Sequence, residues 1–300
     1  HRDLHSFPTR RSSDLSQIIY FLLFAYTYQL SFRLVKIYHT FRHLLPLTFA
    51  YIFVNVVAPT LGASGPALFV SEAARRKEST IKTLAGVLIA NIVQFFTFGT
   101  ILLFGVFYLY SRQDLQTYQI IATLLMVLMT GFLMSLIVLG VYRKKSLIRF
   151  LQRLFSLINF LIKSFRKKIP LDTPWIKTGV AEFSDITKGL KRQQNKIIRL
   201  GLIFFLVHAA NIMTLFFVFQ AFNEDIRFGA LVAGFVIGVL FQIIGITPYG
   251  IGLTESAMAL TFTSLDVVAE KAILITLTFR GITFWLPFLI GFLLLRKVHL

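Results

Sequence analysis

The chain has no cysteine, which excludes disulfides, thiolate chemistry and cysteine-based zinc or iron–sulfur sites. It is also poor in charge. Only 15% of its 300 residues are Asp, Glu, Lys or Arg, and the acidic residues number 13 against 31 basic ones. A soluble domain of this length does not carry so little charge together with 56% hydrophobic residues. Catalytic signatures are missing too. No Gly-x-Ser-x-Gly, P-loop or His-Glu-x-x-His pattern occurs, and Gly250-Ile-Gly252 follows no dinucleotide-binding strand pattern. No catalytic residue, cofactor or metal is therefore expected. His39 and His43 stand four apart, as helical metal ligands would, but no third ligand accompanies them.

Apolar runs long enough to cross a bilayer, which takes about 20 residues per helix, are present in number. The runs expected to enter or cross it are 18–30, 44–57 with a short return to Val70, 85–110, 118–141, 200–222, 228–246 with a return over 253–262, and 272–295. The fold class is an all-α integral membrane protein, a polytopic helical bundle. Residues 16–300 form one transmembrane domain. Residues 1–15 are polar and unlike the apolar remainder of the chain, and His5–Leu15 resembles the translation of a sequencing adapter, so this segment is set aside as non-native.

The net charge of +18 does not point to nucleic acid, because the basic residues sit in loops beside apolar runs. There they orient the chain and attract anionic lipid headgroups. The connector at 142–199 is the most basic of these loops, with only Asp172, Glu182 and Asp185 as acids, so it is assigned to the cytoplasm. Within it, 146–168 alternates basic and apolar residues at helical spacing and is expected to be an interfacial amphipathic helix. A cytosolic helix is expected over 183–199. The expected location is the cytoplasmic membrane, with several passes.

Two apolar runs are interrupted in the same manner. One reads Asn55-Val-Val-Ala-Pro59-Thr-Leu-Gly62-Ala-Ser64-Gly65-Pro66, with Glu72 further on. The other reads Gly245-Ile-Thr-Pro248-Tyr-Gly250-Ile-Gly252-Leu-Thr254-Glu255. A broken backbone at membrane depth is tolerated only where protein or water covers it, and paired breaks mark binding sites in transporters. The charge rule places the first hairpin's ends inside and the second's outside. The result is two re-entrant hairpins consistent with an inverted repeat. Arg280 lies inside the last apolar run and needs a partner or a cavity. Glu255 is the candidate, and the two together suit a headgroup carrying both signs. Glu72 and Arg75 are candidates for a phosphate contact at the inner mouth, and Asn55 for lining the site or repairing the first break. Thr60, Ser64 and Thr254 are expected to satisfy freed backbone groups, and Asn91, Gln94, His208, Asn211 and Gln242 to hydrogen-bond between helices.

Pro248-Tyr-Gly250-Ile-Gly252-Leu-Thr-Glu255, then Arg280 and Phe284-Trp285-Leu-Pro287, resemble the transmembrane region of the lysylphosphatidylglycerol synthase family, a flippase-like group of bacteria and archaea. Asn55, Pro59 and the Gly62–Gly65 stretch agree with its first conserved region. Many members have a Gly-Glu pair where this chain reads Gly62-Ala-Ser64-Gly65, with the carboxylate displaced to Glu72. The resemblance implies the lipid-translocating part without the synthase's catalytic domain. The expected function is a flippase-like transporter moving a polar phospholipid headgroup across the cytoplasmic membrane. The alternative is a membrane-embedded enzyme, or a scaffold for a separate synthase or transferase, acting on a lipid-linked substrate.

Overall fold

A computed structural model describes residues 6–57, 64–162, 173–245 and 247–298, and among these the secondary structure is helical with no strand. The chain runs through α1 (Ser6–Leu34), α2 (Phe41–Val57), α3 (Ser64–Arg75), α4 (Thr80–Ser111), α5 (Thr117–Tyr142), α6 (Lys144–Ile162), α7 (Thr173–Leu190), α8 (Gln194–Ala221), α9 (Phe228–Ile244), α10 (Leu253–Ser264), α11 (Ala269–Arg280) and α12 (Leu286–Val298). A π-helical segment, Gly281–Trp285, joins α11 to α12. Four stretches are long and apolar enough to cross a bilayer: Thr80–Ser111, Thr117–Tyr142, Ile176–Ala221 and Ala269–Leu294. The all-α membrane architecture is as the composition requires.

The two interrupted runs have matching lengths. Both α2 and α9 hold 17 residues, and both α3 and α10 hold 12. A 12-residue helix reaches only about 18 Å, well short of the roughly 30 Å hydrocarbon core. Neither α3 nor α10 is therefore long enough to cross the hydrocarbon core by itself. Pro66 falls in the first turn of α3 and Pro248 opens a single 3₁₀ turn, places where a missing N–H costs no helical bond. Pro59 and Gly62 lie outside the described residues, as does Thr60.

Among the described residues the interior holds two large apolar clusters that share α4 and α8, and a smaller third between α6 and α7. One is built from α1–α4 with Leu200, Phe204 and Val207 of α8. The other gathers α9–α11 with Phe98, Leu102 and Leu109 of α4 and Leu215, Val218 and Phe219 of α8. Close approach of α9 to its neighbours depends on glycine. A Cβ at Gly105 of α4 would stand 2.4 Å from Val236, and one at Gly234 would stand 2.1 Å from the Phe262 ring on α10. Small residues at such crossings are what membrane helices use in place of a hydrophobic driving force. The outward side of α5 exposes Leu124, Leu125, Val127, Leu128 and Phe132, as a lipid-facing helix does.

The connector differs from expectation in one respect. Its second helix begins at Thr173 instead of 183 and continues through a 3₁₀ turn, Lys191–Gln193, into α8. Ile176 and Val180 pack on Leu147 of α6, and the Ser79 hydroxyl, which also caps α4, donates to Glu182 at 2.6 Å. The apolar face made by Ile176 and Val180 extends the helix N-terminal of the expected start at 183. Residues 163–168 of the proposed interfacial helix lie outside the described residues.

Because Phe262 is fully buried and cannot swing away, Gly234→Ala is expected to lower stability by about 1–3 kcal/mol. Gly99→Ala, whose Cβ meets nothing within 4 Å, is expected to cause no loss. Thermal unfolding of the two variants in detergent checks the difference.

Candidate functional site

The second break is held together by one side chain. Arg280, at the C-terminal end of α11, is 2% exposed. Its Nε donates to Glu255 Oε1 at 2.6 Å, its Nη1 to Gln242 Oε1 at 3.3 Å, and its Nη2 to the Tyr249 carbonyl at 3.5 Å. The guanidinium lies over the Phe284 ring at 4.4 Å, and that ring stacks on Tyr249 at 5.3 Å. Arginine suits this role because its planar, delocalised charge stacks on aromatics and offers donors along several edges. Glu255 is bound at both oxygens. Oε2 accepts from the Gly252 N–H at 2.7 Å, which caps the start of α10 and sets the carboxylate at the positive end of that helix.

The sharp backbone path explains the Pro-Tyr-Gly-Ile-Gly sequence. Tyr249, Gly250 and Gly252 all have positive φ, at 51°, 68° and 84°. At Gly250 the need is also steric, since a Cβ would come within 2.5 Å of Thr254 Oγ1 and 2.7 Å of the Gln242 Cα. The non-glycine Tyr249 accepts a disfavoured conformation, which turns its carbonyl toward Arg280 and its ring onto Phe284.

The first break is repaired without charge. Asn55, near the end of α2, accepts at Oδ1 from the Gly65 N–H at 2.9 Å and from the Ser64 hydroxyl at 3.1 Å, so its amide oxygen caps the start of α3. Gly65 is required here because a Cβ would stand 2.3 Å from the Tyr51 ring. The second break lies against the helix that leads into the first. The turn at Pro248–Gly250 packs against α2, and α12 lies along α2 with Phe288 stacked on Phe53 at 5.1 Å.

Of the predicted site residues, Glu255, Arg280, Pro248, Gly250 and Gly252 come together, and Asn55 and Gly65 form the matching repair. Glu72 and Arg75 belong to a separate cluster. Glu72 accepts from Arg76 Nε at 2.8 Å and faces Arg75 at 3.9 Å and His43 at 3.5 Å, while His39 faces Glu78 at 3.3 Å. Burial pushes the His39 imidazole below its ordinary value, with Glu78 opposing and Arg76 adding to the effect. No group of three or more His, Cys, Asp or Glu suited to a metal occurs among the described residues. Gln242 bonds between helices as expected, and its partner is Arg280. Thr254 differs from expectation, since its buried hydroxyl has no hydrogen-bond partner. Tyr249 and Phe284 escape sequence reasoning as site residues. The one clue is their position, a tyrosine inside a Pro/Gly break and an aromatic one turn after a buried arginine.

The fold and this site define a polytopic helical membrane protein with an ion pair held at its second backbone break. The sequence profile of the lysylphosphatidylglycerol synthase TM region matches residues 15–291, and the chain belongs to that family. It is 26% identical over 151 residues to a UPF0104 membrane protein of Pyrococcus horikoshii, a stretch covering 49% of this chain and 45% of that protein, so the match spans less than half of that relative. It is 20% identical over 275 residues to a UPF0104 membrane protein of Methanothermobacter thermautotrophicus, covering 90% of this chain and 79% of that one. No solved structure matches.

Removing the Asn55 oxygen leaves the Gly65 N–H and the Ser64 hydroxyl buried and unpaired. Asn55→Ala is expected to cost about 1–3 kcal/mol, and Asn55→Asp, which keeps an acceptor, clearly less. Thermal unfolding of the detergent-solubilised variants measures both.

Proposed function

We propose that the protein is a flippase-like transporter that passes a polar phospholipid headgroup across the cytoplasmic membrane while the acyl chains stay in the bilayer. The observation that carries this reading is Arg280, an intramembrane cation 2% exposed, paired with Glu255 beside a break that packs on the other broken hairpin. Charges in such positions are costly and tend to mark substrate pathways. In this reading the two hairpins enter from opposite faces of the membrane as an inverted repeat. The matching lengths of α2 with α9 and α3 with α10 support that symmetry. Broken helices at a repeat interface are a recurrent site of substrate binding in transporters. The basic connector, on the cytoplasmic side, gathers anionic lipid at the surface. Glu72 and Arg75 act in orientation at the inner mouth, since their partners are one another, Arg76 and His43.

Reconstitution into liposomes with fluorescent acyl-labelled phospholipids tests the proposal, with dithionite quenching the outer-leaflet probe. The wild type is expected to expose inner-leaflet probe, and Arg280→Ala combined with Glu255→Gln to slow that exposure at least about tenfold. Equal rates for the two proteins would remove these residues from the pathway, and no exposure by the wild type would remove the function.

A further inference from the structure

We propose that His39 and His43 form a proton-operated clasp across the base of the α2–α3 hairpin, closed while both imidazoles are neutral and released when they take up protons. The inference needs nothing from the transport reading and uses none of the groups at the second break.

His39 lies in the link from α1 to α2 and His43 in the first turn of α2, with their rings 5.3 Å apart. The segment that leaves the hairpin faces them. His39 Nε2 is 3.3 Å from Glu78 Oε2 in the link to α4, and His43 Nε2 is 3.5 Å from Glu72 Oε1 in α3. Arg76 Nη2 stands 3.0 Å from His43 Nδ1. Entry and exit of the hairpin are therefore tied to each other through two imidazoles. From behind, α1 holds His39 with uncharged groups. The Gln29 amide donates to its carbonyl at 2.9 Å, and the Phe32 ring lies at right angles to the imidazole, 5.6 Å away.

Arg76 makes the clasp depend on protonation. A guanidinium only donates, so His43 accepts at Nδ1 and carries its proton on Nε2. A second proton removes that acceptor and sets an imidazolium against the guanidinium. Charge counting gives the same direction. Among the described side chains the charged groups around the two rings are Glu72, Arg75, Arg76 and Glu78, which sum to zero. Glu72 is already shared by Arg75 and Arg76, so each added proton leaves the cluster positive. Burial, then Arg76 and His39, push the His43 imidazole below its ordinary value against the opposing pull of Glu72 and Glu78. A group held low in the clasped form, and free to return to its ordinary value once released, favours release as the pH falls through that range. The hold is also light, because Glu78 Oε2 and His43 Nε2 are buried with no hydrogen-bond partner. The α9–α10 hairpin has a clasp of its own, Glu224 of the link from α8 with Lys271 of α11, and that pair contains no imidazole.

The test exploits the lack of cysteine. Nitroxide labels are attached at two exposed positions on either side of the clasp, through Tyr38→Cys and Ala74→Cys. Their separation in detergent is measured by double electron–electron resonance at about pH 8 and about pH 5. With both histidines present, the ratio of the longer separation to the shorter is expected to rise at least about tenfold on acidification. His39→Gln with His43→Gln, which cannot be charged and still offers Arg76 an acceptor, is expected to keep the shorter separation at both values. His43→Arg, charged throughout, is expected to show the longer one at both. A control pair beside the second clasp, Asp225→Cys with Val268→Cys, is expected not to change. No response to pH with both histidines present, an undiminished response in the double Gln variant, or an equal response in the control pair would overturn the proposal. If a histidine variant does not fold, the two labelled pairs in the otherwise unaltered protein still decide it.

Discussion

A backbone that breaks inside a bilayer has to find new partners for the groups it frees, and at the second break Arg280 and Glu255 supply them for the Tyr249 carbonyl and the Gly252 N–H. From the end of α11 it reaches the carbonyl of Tyr249 in the break, the amide of Gln242 on α9 and the carboxylate of Glu255 on α10. Three separate segments are tied to one guanidinium. With Arg280 2% exposed and the Glu255 side chain 18% exposed, each of these contacts is worth keeping, and the cost of losing the arginine includes a partly desolvated carboxylate with no counter-charge. The aromatic faces of Phe284 and Tyr249 shield the charge without neutralising it.

The two halves solve the same problem with different chemistry. In the first, a neutral amide oxygen on Asn55 caps α3, and the surrounding rings of Tyr28, Tyr51 and Phe69 close the space. In the second, an ion pair caps α10 and anchors the break. A neutral cap is a fixed structural device. An ion pair can be opened by a ligand that offers the same charges. This asymmetry explains why the two breaks, alike in length and in Pro/Gly content, need not share a role. The ion pair sits in the second half, and the break it anchors packs on α2 of the first, along which α12 is laid.

Much of this architecture is legible in the amino-acid sequence. Membrane residence follows from composition, and the positions of the breaks follow from Pro248, Gly250, Gly252, Gly65 and Pro66, because those residues have no other use in an apolar run. The Glu255–Arg280 partnership is legible because an unpaired charge at that depth is too costly to persist. The participation of Tyr249 and Phe284 is not. Thirty-three phenylalanines in a lipid-facing chain hide the few that touch an arginine. Glu72 and Arg75, expected at the inner mouth, fall in a cluster of their own, in which the carboxylate pairs with arginines on its own helical face and with His43. The start of α7 is misplaced by sequence reasoning because, ahead of residue 183, only Ile176 and Val180 are buried apolar residues on its face.

The central claim is that the two breaks adjoin one shared polar site. The absence of cysteine from the chain makes it directly measurable. Tyr51→Cys and Tyr249→Cys together, treated in membranes with a short bismaleimide, are predicted to cross-link within one chain as readily as a Phe53→Cys, Phe288→Cys reference pair, whose rings stand 5.1 Å apart. Efficient cross-linking of the reference pair with none between positions 51 and 249 would contradict the account.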